Sequence, residues 1–176
     1  MRAHWARRQA EELVHRLQSK LPSAPPIDPV KVANALGLAV ISDDLGPDVC
    51  GLLIRRADQV LIAVDRNDPP NRRNFTIAHE IGHHVLGHQF QLGEHVHVDR
   101  GHYISQRGPR SSQGIDPKEI EANQFAAALL MPSWLIREAV DAFGRPVLDS
   151  HVRELSKKFR VSDQAMTIRL TTLKYL

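Results

Sequence analysis

The run His79-Glu80-Ile81-Gly82-His83 places two histidines four residues apart with a glutamate beside the first. On an α-helix, residues four apart project from one face, so both imidazoles can reach a single metal ion. Imidazole nitrogen is a preferred zinc ligand, and the adjacent carboxylate can take a proton from a water held by the metal. The H-E-x-x-H pattern therefore points to zinc-dependent hydrolysis, with His79 and His83 as ligands and Glu80 as general base. The chain has ten histidines, and seven of them (79, 83, 84, 88, 95, 97 and 102) crowd into one window. A chance match is easier in such a chain, so the motif needs independent support.

A catalytic zinc site requires a third protein ligand and an open position. His88 lies nine residues after His79, half a turn away on a continuing helix, and with His84 reads as a polar position on the outer side. The longer pattern H-E-x-x-H-x-x-G-x-x-H would need glycine at 86 and histidine at 89, where the chain has Leu86 and Gln89. That class is excluded. The other common solution is a glutamate on a second helix. Asp116-Pro117 is an N-cap followed by a first-turn proline, and the helix it opens offers Glu119 and Glu121. These lie about 200° apart around the axis, so only one can face the metal. Glu119 shares its face with Ala122, Asn123, Ala126 and Ala127, small enough for close approach to the motif helix. Asn123 could accept the outer N–H of a ligand histidine. Glu119 is preferred as the third ligand, with Glu121 as the alternative. Without a metal, Glu119 would complete a capping box with Asp116 and Glu121 would sit on a solvated face.

The elements that must hold these residues read as an α+β fold, a small, mostly antiparallel sheet of about three strands packed on helices. An amphipathic helix is expected from about Trp5 to Leu21, then a breaker at Pro22 to Pro26. A short helix is capped by Asp28-Pro29 and ends at Gly37. Strands are expected at Leu38–Ser42, Cys50–Ile54 and Gln59–Val64, the last two forming a hairpin through Arg55 to Asp58. The motif helix begins around Asn71 to Asn74. Gln89 to Ile115 is polar and without periodicity, a length usually reserved for function. Substrate binding or gating is expected there, and Tyr103, His95, His97 and His102 are its candidates for transition-state stabilisation. The helix from Asp116 runs to about Leu130, and Ser133 caps another reaching Phe143-Gly144. Residues 1–145 form the expected catalytic domain, and 146–176 a helix-turn-helix-like pair broken near Arg160-Val161, with Ser162 as the second N-cap.

With 42% hydrophobic and 24% charged residues in 176, the chain can bury a core without disulfide staples, and its one cysteine, Cys50, suits a reducing compartment. A net charge of +3 is too small to argue for nucleic-acid binding. The basic start runs into Glu11 and Glu12 rather than an apolar core, so no signal peptide is read, and no apolar stretch reaches the length of a bilayer. The expected location is the cytoplasm.

Phe75-Thr76-Ile77-Ala78-His79-Glu80-Ile81-Gly82-His83, followed by the run from Glu119-Ile120-Glu121-Ala122-Asn123 through Leu130-Met131-Pro132, resembles the ImmA/IrrE family of bacterial and phage metallopeptidases. Both motifs occur in the family's order, and the resemblance covers about Ile27 to Phe143. It implies zinc held by His79, His83 and Glu119, with Glu80 as general base. It also implies a protein substrate, a helix-turn-helix repressor of mobile-element or stress-response genes encoded nearby. A C-terminal sensor domain, carried by some members, is not expected here. The competing reading is a DNA-binding or toxin–antitoxin-type regulator with a structural or weakly active zinc site, supported by Lys157, Lys158, Arg160 and Arg169 in the tail.

Overall fold

The computed structural model describes residues 2–56, 59–89, 96–99, 116–144 and 146–176. Elements follow in the order α1 (Arg2–Arg16), α2 (Pro29–Ala35), β1 (Ala39–Asp43), β2 (Gly51–Arg55), β3 (Val60–Asp65), α3 (Pro70–Val85), β4 (Val96–Asp99), α4 (Pro117–Leu130), α5 (Ser133–Asp141), α6 (Asp149–Phe159) and α7 (Asp163–Thr172). The class is α+β.

Local signals set many of the boundaries. Asp28 accepts from the backbone N–H of Val30, Asp116 from that of Lys118 and Ser162 from that of Ala165, each satisfying an amide that the helix start leaves orphaned. Pro70 and Pro117 occupy first-turn positions, where the missing N–H costs nothing. Ser133 departs from the expected pattern. It is the first residue of α5, and its N–H and hydroxyl both donate to Glu11 of α1, which caps the helix from a distance.

The sheet has four strands among the described residues, one more than expected, in the order β1-β3-β2-β4. β2 pairs antiparallel with both β3 and β4, whereas β1 runs parallel to β3. Period-2 patterning marks a strand but says nothing of its neighbours or direction, so the parallel edge was not readable. β4 falls inside the segment expected to be a loop, because four residues are too few to display a period. In the ladder, Gly51 faces Val64, and Leu53 faces both Ile62 and His97. Directly opposed residues share a face, so Gly51, Leu53, Ile62, Val64 and His97 lie on one side of the sheet.

α3 packs against β2 and β3, and α4 packs between α3 and α1. α4 buries Glu121, Ala122, Phe125, Ala126, Ala128, Leu129 and Leu130, which go around most of its circumference, as befits a central helix. The crossing of α3 and α4 is close. A Cβ added at Gly82 would stand 3.1 Å from Phe125 Cδ1 and 3.3 Å from Ala122 Cα. The absent side chain at 82 and the small one at 122 thus fix the distance between the helices.

The last two helices pack through Leu155, Phe159, Val161, Met166 and Leu170, all buried, and Asn71 of α3 donates to the carbonyl of Val161. Arg169, one of the four basic residues noted in the tail, does not face solvent. It is 2% exposed, donates through Nε to the Met131 carbonyl at 2.9 Å and through Nη2 to Glu11 at 2.8 Å. Lys157, Lys158 and Arg160 remain exposed. No helix among the described residues is long and apolar enough to cross a membrane.

Candidate metal centre

α3 presents His79, Glu80 and His83 inward, all buried. The stripe of Ile77, Ala78 and Ile81 packs in the core and holds this face against α4 and the sheet. Glu80 lies beneath β2, where a Cβ at Gly51 would come 2.3 Å from Thr76 Cγ2 and 3.4 Å from Glu80 Oε1. Only a glycine lets the strand approach the helix this closely.

Opposite, the first turn of α4 directs Glu119 back toward α3. His79 Nε2 and His83 Nε2 are 2.9 Å apart. Glu119 brings Oε2 to 3.2 Å from His79 Nε2 and Oε1 to 3.4 Å from His83 Nε2. Ligand bonds of 2.0–2.1 Å in a tetrahedron give edges of roughly 3.3 Å, so these three separations bracket the spacing expected of donors around one zinc ion. The three residues form a group able to hold a metal, two histidines buried and the glutamate half-buried. Burial pushes the His83 imidazole down to about 3, against the opposing pull of Glu119, leaving it neutral as a metal ligand must be. The Glu119 carboxyl is lowered well below its usual range, because its contacts with the His79, His83 and His97 rings outweigh the burial that would raise it. In place of a capping box with Asp116, its carboxylate meets three imidazoles.

Residues 33–171 match the model of the peptidase family M78, described as the IrrE N-terminal-like domain, which is well over half of the chain. The chain belongs to this IrrE-like peptidase family. Within the family's range lie α3 and α4 whole, and with them every residue just described. The chain is 33% identical over 111 residues to the radiation response metalloprotease IrrE of Deinococcus radiodurans, an alignment covering 63% of this chain and 30% of that protein. It is 26% identical over 125 residues to an uncharacterized immunity region protein 2 of Bacillus phage phi105, covering 71% of this chain and 70% of the other. A Mycobacterium tuberculosis transcriptional regulator shares the fold, with a TM-score of 0.58 and 19% identity over 96% of this chain and 47% of that one. The chain therefore spans about a third of the Deinococcus protein's length.

Beyond these residues, the IrrE-like chain brings further groups to the centre. Asn123 Oδ1 lies 2.9 Å from His79 Nδ1. His97 reaches in from β4, with Nδ1 3.2 Å from Glu80 Oε2 and Nε2 3.2 Å from Glu119 Oε1. Burial works against charge on His97, but its bonds to Glu119 and Glu80 prevail and raise it to about 10. Its ring bridges the two carboxylates. His95, His102 and Tyr103 lie outside the described residues.

His88 and Glu121 correct the sequence expectation. Both are buried, His88 inside rather than on an outer face and Glu121 away from solvent. The projection of His88 assumed a continuing helix, but α3 ends at Val85. Gly87 adopts φ 68°, its N–H bonds to the His84 carbonyl, and the His88 N–H bonds to the His83 carbonyl. This reversal, with a left-handed residue following the last turn, folds His88 back beneath His83. His88 Nδ1 then lies 3.0 Å from His83 Nδ1, and His88 Nε2 lies 3.2 Å from Glu121 Oε2. Glu121 Oε1 is 3.6 Å from Arg2 of α1. Glu121 points behind His83, while Glu119 points in front of it.

Proposed function

We propose that the chain is a zinc-dependent endopeptidase with His79, His83 and Glu119 as ligands and Glu80 as general base. The observation carrying this reading is the convergence of two imidazole Nε2 atoms and one carboxylate at donor spacing, with Glu80 beside them. Membership of a peptidase family supports it, as does the likeness to a protein named a metalloprotease.

Zinc, when bound, supplies a Lewis acid that brings the pKa of its water to roughly 7 and polarises a carbonyl. Glu80 accepts the proton of the attacking water on a carboxylate shielded from bulk solvent, then returns it to the leaving amine nitrogen. His97, with one ring nitrogen on Glu80 and the other on Glu119, holds the general base beside the third ligand. Asn123 holds the His79 ring in one orientation. The substrate is a protein, a helix-turn-helix repressor encoded nearby and cut in the cytoplasm. The resemblance to ImmA/IrrE proteins and the likeness to a phage immunity region protein support this substrate class.

Metal analysis of the purified chain should return about one zinc. Co-expression with the neighbouring repressor, followed by mass analysis, should yield two fragments and identify the cut. Glu80→Gln should retain zinc and leave the repressor whole. A variant that cuts as fast as the parent would refute the role of Glu80.

A further inference from the structure

The mechanism leaves His88 and Glu121 unused, yet they are 6% and 4% exposed directly behind the centre. An ionised carboxylate can only accept hydrogen bonds, so the contact between Glu121 Oε2 and His88 Nε2 places a proton on that nitrogen. Of two ring nitrogens in hydrogen-bond contact one donates and the other accepts, and a His88 ring that already donates from Nε2 accepts at Nδ1 in its neutral form. His88 Nδ1 faces His83 Nδ1 at 3.0 Å, so His83 must donate from Nδ1. The lone pair of His83 is then on Nε2, the atom directed at His79 and Glu119.

We propose that Glu121 and His88 are positioning residues, a buried relay that fixes His83 as its Nδ1–H tautomer and aims its Nε2 lone pair at the metal. The proposal rests on the reading of this centre as a zinc site. Asn123 does the equivalent for His79 through a single contact, its Oδ1 accepting from Nδ1. The two imidazole lone pairs and the Glu119 carboxylate then converge as the donors of one metal site. The backbone holds the relay in place. Arg55 of β2 donates to the carbonyls of both His83 and His88, at 3.3 and 3.0 Å, so the turn that carries His88 is clamped to the sheet.

Long-range ¹⁵N–¹H NMR correlations of the imidazoles in the metal-free full chain report the His83 tautomer directly. The parent should show Nδ1–H, while Glu121→Leu and His88→Leu should show Nε2–H or a mixture. Glu121→Gln, whose amide oxygen still accepts from His88, should keep the parental tautomer. Competition with a chromogenic chelator should show zinc bound about 10–100-fold more weakly by the two leucine variants, and close to parentally by the glutamine variant. An Nε2–H His83 in the parent, or leucine variants matching the parent in both measurements, overturns the relay. A parent that takes up no zinc overturns the metal reading instead, and the tautomer measurement still decides the relay by itself.

Discussion

Replacing Gly51 by alanine tests how the sheet supports α3. The new Cβ would meet Thr76 Cγ2 at 2.3 Å, where carbon atoms prefer about 3.5–4.0 Å. The deficit exceeds 1 Å, and Thr76 is fully buried with a branched side chain that turns only between discrete rotamers. Strand and helix must therefore separate. Overpacking of this kind costs about 1–3 kcal/mol, offset by about 0.5–1 kcal/mol because alanine loses less backbone entropy than glycine. A net loss of about 1–2 kcal/mol is expected in urea unfolding monitored by circular dichroism. Thr76→Ser removes the obstructing methyl while keeping the hydroxyl, at a cost of about 1 kcal/mol. In the double variant the clash is gone, and the remaining contacts, 3.4 Å from Glu80 Oε1 and 3.6 Å from the Ala63 carbonyl oxygen, are ordinary. The double variant should thus be more stable than the sum of the single losses, by about 1 kcal/mol or more. Additive losses, or a Gly51→Ala protein as stable as the parent, would show that the close approach of β2 to α3 is not what requires this glycine.

Gly82→Ala adds a methyl that Phe125 and Ala122 can accept only by yielding a few tenths of an ångström. The helix-propensity gain of about 1 kcal/mol offsets that strain, so unfolding should change little while zinc affinity in chelator competition falls, since Glu119 is carried away from the histidines. Unaltered affinity would mean the crossing does not set ligand spacing. Glu11→Ala strands Arg169 and removes the cap on α5, and should lower unfolding free energy by about 2–4 kcal/mol in denaturant titration. A loss below about 0.5 kcal/mol would show the pair adds nothing. Arg160 sits at φ 53°, a conformation costing a side-chain-bearing residue about 1–2 kcal/mol, so Arg160→Gly should stabilise by about 0.5–1 kcal/mol despite the extra freedom of unfolded glycine. A lower melting temperature for that variant would count against it.

Features governed by neighbours in sequence were readable. Asp28, Asp116 and Ser162 act on amides two or three residues ahead, and the α3 and α4 segments carry their periods within themselves. Features governed by distant partners were not. His88 was misplaced because one residue, Gly87, ends a periodicity that the helical wheel extends indefinitely. Glu121 looks like a surface residue until His88 and Arg2 are brought beside it. Ser133 is a plausible cap, yet its own N–H is the group being capped, by a carboxylate 122 residues away. Arg169 belongs to a basic tail in sequence and to the interior in space, because its carboxylate partner is Glu11. The edge position of β1 and the existence of β4 depend on strand pairing, which no single strand encodes.

The same Glu11 junction orders events in time. Its bonds to Ser133 and Arg169 close loops of 122 and 158 residues, whereas Glu119 lies only 40 residues beyond His79. Closure entropy grows with loop length, and a chain made from its N-terminus presents α3 and α4 well before α7. The donors of the centre can thus meet while Glu11 still waits for Arg169. Refolding followed by a zinc-sensitive probe should accordingly register the centre before the Glu11–Arg169 pair locks the first helix to the last.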